Sequence, residues 1–190
     1  MEIDSTFLRG IHDRLSKSMS GVESLAGALS AEQLNWKPSA AGWSVGQCLD
    51  HLSVGAEEYV AKLAPAVERA RSAGANAAAD LAHRPTFIGR LIIRAVEPSA
   101  ARPMKAPKIF QPSQSAVSAD VVARFISCHE RVSELAAACD GIDFNRVRLS
   151  SPVAAFLRLS AADAFQLLSS HAERHLGQAE RVVKAEGFPS

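Results

Sequence analysis

SAADAFQLLSSHAERHLGQAERVVKAEG, residues 160–187, decides the fold. Ala164, Leu167, Leu168, His171, His175, Gln178 and Val182 recur at steps of three and four, the period of one helical face. Ser160 and Asp163 are both N-cap residue types, and Gly187 marks the far limit. The stretch therefore predicts a long amphipathic helix that turns two histidines toward its apolar side. Three more segments carry the same period. The first runs from about Ser5 to Leu29 on Leu8, Ile11, Leu15, Val22, Leu25 and Leu29. The second starts after Ser44, where Gln47 three residues on completes a capping-box pattern, and reaches about Ser72 with Pro65 as a candidate kink. Trp43, just outside it, is placed to staple onto Cys48. The third spans about Ser118 to Cys139 on Val122, Phe125, His129, Val132 and Ala136, with Gly141 as its stop. No segment sustains the period-two alternation of a strand. The fold class expected is all-α, a four-helix bundle in a single domain over residues 1–190.

The connection between the second and third helices, about Gly74–Ala116, is unlike the rest. It holds five of the nine prolines, Pro85, Pro98, Pro103, Pro107 and Pro112, and only Phe87–Val96 can form a few helical turns. It is also basic: Arg84, Arg90, Arg94, Arg102, Lys105 and Lys108 face only Asp80 and Glu97. A loop this long inside a compact domain is functional or irregular by rule. The chain as a whole has a formal charge of +1, which gives no footprint for nucleic acid or a membrane surface. No apolar run approaches a membrane span, and MEIDSTFLRG lacks the basic-then-apolar order of a secretory signal. Cys48, Cys128 and Cys139 fall in helical patterns, with no paired spacing. They read as reduced thiols, and the expected location is cytoplasmic.

The histidines carry the chemistry. His171 and His175 are four apart, about 40° around one helical face, so their imidazoles can converge on one ion. They stand in the apolar stripe, where each buried ring needs a partner. The order of letters excludes a zinc protease. Its glutamate directly follows the first histidine, whereas Glu173 sits at the middle position and points to the opposite face. A third ligand must come from another helix. His51, at the edge of the second helix's stripe with Gln47 one turn before it, is the best candidate, and His129 on the third helix is its rival. His12 and His83 are surface or loop residues with no role assigned.

The stretch LSAEQLNWKPSAAGWSVGQCLDHL, residues 29–52, together with HAERHLGQAERV, residues 171–182, resembles the DinB-like superfamily. APKIFQPS, residues 106–113, is similar to that family's segment before its third helix. The resemblance implies an up-down-down-up bundle with a long crossover between helices two and three. It also implies a divalent metal held by three histidines, which by position are His51, His171 and His175. The superfamily includes thiol-dependent S-transferases and maleylpyruvate isomerases, so the resemblance implies a low-molecular-weight thiol S-transferase.

Such a site permits two chemistries. A thiol on the ion is deprotonated near neutral pH, and a water is acidified toward pKa ~7, which opens thiol transfer or hydrolysis. Imidazoles suit several ions. Zinc or nickel is the first expectation, with iron or manganese also within reach. The expected partners are a small-molecule substrate and a low-molecular-weight thiol, without nucleic acid or membrane. The competing reading is a non-catalytic, homodimeric metal-binding or ligand-binding module. Glu58 and Asp50 are the candidate general bases, and both read more simply as surface or helix-pairing residues. Cations of the crossover could hold carboxylates of a thiol cofactor, or they could be solvated.

Overall fold

The computed structural model describes residues 3–74, 81–99, 106–112 and 116–190. Four long helices form the frame: α1 (Thr6–Ala26), α3 (Val45–Ser72), α5 (Val121–Ala137) and α6 (Ala161–Val183). Between them stand the short helices α2 (Ala31–Asn35) and α4 (Phe87–Val96), a 3-10 turn at Lys108–Phe110, and the strands β1 (Arg148–Ser150) and β2 (Arg158–Ser160). The protein is thus mostly helical, an all-α bundle with one small antiparallel hairpin that pairs Leu149 with Leu159.

Local chemistry sets the helix ends. Ser44 and Gln47 close a capping box at the start of α3, and Ser160 and Asp163 close another at the start of α6. A third, Ser30 with Gln33, starts α2. The first periodic segment therefore ends at Ala26 rather than Leu29, and Leu29 lies in the turn before this cap. On α5 the observed start is Val121, not Ser118, and the end is Ala137, not Cys139. α3 runs through Pro65 as one continuous helix.

Each of α1 and α3 packs against both α5 and α6. The pairs step in the same sense along α1 and α6, since Arg14 meets Glu173 and Gly21 faces Leu176. Along α3 and α5, Asp50 meets Arg124 and Glu57 reaches Cys128. Two apolar clusters fill the interior. One gathers Leu8, Leu15, Tyr59, Leu63, Phe144, Phe165 and Leu168, and the other gathers Val22, Leu34, Leu49, Leu52, Phe125 and Ala179. Along α3 the seam between them falls between Leu52 and Ala56, and along α6 between Leu168 and Leu176. His51 lies at the edge of that seam, and His171 and His175 lie within it.

The crossover is partly regular. α4 is capped by Thr86, whose hydroxyl accepts from the Gly89 amide at 2.9 Å. Its N-terminal end is fastened to α6 through Asp163, which is fully buried. The Asp163 carboxylate accepts from the Thr86 hydroxyl at 2.7 Å and from His83 Nε2 at 2.9 Å. At the other end of α4, Arg174 on α6 donates to the Glu97 carbonyl at 2.8 Å. Asp80, Arg102, Pro103 and Lys105 lie outside the described residues.

Candidate metal centre

His51, one of the buried polar residues of α3, faces His171 and His175 of α6. One nitrogen from each falls within 4.8 Å of the others. The His51 and His171 Nε2 atoms are 3.1 Å apart. Two nitrogens bound tetrahedrally at 2.0–2.1 Å from one zinc-sized ion stand about 3.3 Å apart. The three rings meet at steep angles of 86°, 68° and 78°, with centroids 4.6–4.8 Å apart, so no two of them stack face to face.

Two details test the fit to a cation. His51 Nδ1 bonds the Phe110 carbonyl, which can only accept. The proton therefore sits on Nδ1, and Nε2 keeps its lone pair toward the cluster. His175 Nδ1 is buried with no hydrogen-bond partner, alone in this respect among the side-chain atoms of the described residues. An unsatisfied buried nitrogen costs about 1–3 kcal/mol, and an ion would satisfy it. The residues fit a divalent metal, and His51, His171 and His175 can hold one.

The electrostatics agree. Burial lowers the pKa of all three imidazoles below the ordinary 6.5. For His175, burial with the nearby His51 brings it to about 3. His171 is held well below its usual value by burial and by both partners. All three are neutral at pH 7, the form that ligates.

The rings open onto a cavity of about 980 Å³. α3 supplies His51, Gly55 and Tyr59 to it, α4 supplies Ile92, Ala95 and Val96, and α6 supplies Leu167, Leu168, Arg174 and the two histidines. No carboxylate occurs among the described lining residues, and the charged ones are Lys37 and Arg174.

Glu173 turns away from the site and pairs with Arg14 at 2.7 Å, as its helical position requires. His129 stays outside the cluster: its ring lies tilted against Phe125 with centroids 4.0 Å apart, and its Nδ1 donates to the Phe125 carbonyl at 2.8 Å. Of the candidate bases, Asp50 is held by Arg124 at 2.7 Å, and neither it nor Glu58 lines the cavity. The described cations of the crossover, Arg84, Arg90, Arg94 and Lys108, are exposed and line no part of the cavity, so they are solvated rather than site residues. His83 is no loose loop residue, since it holds the buried Asp163. The three cysteines are free thiols, each pushed up to about 12, chiefly by burial.

Sequence reasoning missed two contributors. Trp43, assigned only to a staple, lies 4.8 Å from the His51 ring and stacks on His175 at 5.7 Å. Phe110 acts through its backbone carbonyl, which no side-chain pattern reveals. The available signal was the APKIFQPS segment itself, whose single 3-10 turn presents that carbonyl.

A family model of the DinB superfamily matches residues 14–179, and the chain belongs to that superfamily. No curated protein and no solved structure matches the chain. Among the described residues, no helix is long and apolar enough to cross a membrane.

Proposed function

We propose that this chain is a metal-dependent thiol S-transferase, with His51, His171 and His175 as the ligands of one divalent ion, zinc or nickel. The observation that carries the reading is the convergence of three neutral imidazoles on a cavity whose described lining has no carboxylate. When bound, the ion would supply Lewis acidity that favours thiolate over thiol at neutral pH. Hydrolysis gains from a general acid or base beside the water and the leaving group, and no carboxylate lines the described wall to serve as one. A thiolate needs no separate base.

The chain's own residues hold and shape this site. Phe110 fixes the His51 tautomer, and Trp43 braces two of the rings. The apolar wall from Ile92, Val96, Leu167 and Leu168 excludes water from the electrophile. Lys37 and Arg174 give the cavity a positive potential suited to a carboxylate on the thiol or its acceptor. The proposed partners are therefore a low-molecular-weight thiol and a small electrophile, in a reducing cytoplasm where the free cysteines persist. A second reading, a homodimeric binding module, draws on the exposure of Phe87 (73%) and Leu91 (51%) on α4.

Metal analysis of the purified protein beside His171→Ala, followed by a panel of small thiols with a reporter electrophile, tests the proposal. Stoichiometric metal that is lost in the variant, with metal-dependent thiol consumption, is the expected result. Metal without turnover of any thiol overturns the transferase and favours the module.

A further inference from the structure

Gly55 lies in the interior of α3, one turn after His51 and one turn before Tyr59, and all three residues line the cavity. Glycine is among the least favourable residues for a helix interior, so its presence there calls for a reason. Three glycines are buried among the described residues: Gly46, Gly55 and Gly89. Two of them have crowded surroundings. A Cβ on Gly46 would stand 2.1 Å from the Val117 side chain and 3.0 Å from the Leu34 carbonyl oxygen. On Gly89 it would stand 2.3 Å from the Asp163 carboxylate. Gly55 differs, because among the described residues nothing lies within 4 Å of the place its Cβ would occupy. Its φ is not positive either, so the backbone makes no demand for glycine. Neither packing nor conformation accounts for the residue, and the space it leaves belongs to the cavity.

We propose that Gly55 is a specificity-determining residue: it keeps open a channel along α3, from the three histidines to Tyr59, for an elongated apolar portion of the substrate. The inference rests on the reading of the histidine cluster as the reacting end. Eight residues of helix separate His51 from Tyr59, a rise of about 12 Å. The positions advance by four, so they stay on one face. Ile92, Leu167 and Leu168 supply apolar wall. Tyr59 marks the far end; it is itself buried, and its hydroxyl bonds Ser151. With the imidazoles neutral, Arg174 and Lys37 supply the only full charges of the described lining, both positive. The substrate class is therefore an amphiphile with an anionic or metal-seeking head and a straight apolar body, rather than a compact polar molecule.

Straight-chain alkanoates from butanoate to dodecanoate are the probe, titrated by calorimetry into the full chain in chelator-treated and metal-loaded forms. Wild-type affinity is expected to rise about fourfold per methylene until the channel is filled. In Gly55→Leu the rise stops several methylenes earlier, while metal content stays at the wild-type level. Gly55→Ala, which gains helix propensity and meets no neighbour, is expected to raise the Tm by roughly 2–4 °C. Three results overturn the proposal: a wild-type series without length dependence, a Gly55→Leu series identical to wild type, or a lower Tm for Gly55→Ala. The chelator-treated arm separates this channel from the metal chemistry. A protein that binds no metal yet still shows the Gly55→Leu cutoff keeps the channel and loses the transferase.

Discussion

Lowering the pH from about 7.5 to about 5.5 is expected to weaken metal binding at the histidine cluster by no more than about tenfold. Ligation requires neutral imidazole, so protons compete with the metal. Three ordinary histidines with pKa 6.5 would each be about nine-tenths protonated at pH 5.5, a combined loss of about 10³. This site differs because burial already excludes the protonated form. His175 titrates at about 3 and His171 well below 6.5, so both remain neutral throughout the window. His51 is also lowered, and even an unshifted ring would lose only about tenfold. Competition with a chelator whose own proton affinity is corrected for reads the constant directly. Circular dichroism at the lower pH verifies that the bundle stays folded. A loss approaching 10³ would refute the reasoning, because it would mean that the three rings accept protons as freely as solvated ones.

Three further outcomes follow from residues outside the cluster. Burial lowers His129 from 6.5 to about 4, so the unfolded chain binds the extra proton in that window. Stability from this ring is whole above pH 6.5 and is lost as pH falls toward 4, at about 1.4 kcal/mol per pH unit. Urea titrations of His129→Phe should lack that component of the acid slope, and identical slopes for variant and wild type would contradict it. Gly89→Ala drives a methyl into the Asp163 carboxylate at 2.3 Å and should cost about 1–3 kcal/mol, with faster hydrogen exchange along α4. Unchanged exchange there would show that Asp163 does not fasten the crossover. Glu173→Gln removes only a half-exposed pair with Arg14, worth about 0–1 kcal/mol, and should leave metal content intact. Loss of metal in that variant would return Glu173 to the site.

The four long helices were legible because each repeats its apolar period over many turns, and because Ser44 with Gln47 and Ser160 with Asp163 announce two starts. The histidine pair on α6 was legible for the same reason, since a helix fixes which residues share a face. What escaped reading has equally physical causes. The hairpin strands are three residues each, too short to show alternation. α2 is five residues, too short for a periodic stripe, and its capping box at Ser30 stands directly after the first periodic segment. His83 looked solvated because its partner Asp163 is eighty residues away in sequence. Exposure of Arg90 and Arg94 follows from the side of α4 that packs, and composition alone does not tell which side that is.

The long crossover finds its explanation in α6. α4 adds Ile93 to the apolar core of the bundle, with Ile88, Ile92 and Val96 packed against it, and it is held at both ends by side chains of one helix. Asp163 fastens its start through Thr86, and Arg174 the carbonyl of its C-cap residue, Glu97. The same helix carries His171 and His175 between or beside those anchors. α4 in turn supplies Ile92, Ala95 and Val96 to the wall above the rings, and the later turn supplies the Phe110 carbonyl to His51. The roof over the cavity and the imidazoles beneath it are thus registered on a common support. Polar bonds to a buried carboxylate fix that register more sharply than apolar contact would, because the Asp163 oxygens lose far more when a bond is misplaced than a methyl does when it slides. A shift of α4 along α6 would unseat Thr86 and His83 together. The crossover can therefore be irregular in most of its length and still set the distance between the wall and the histidines.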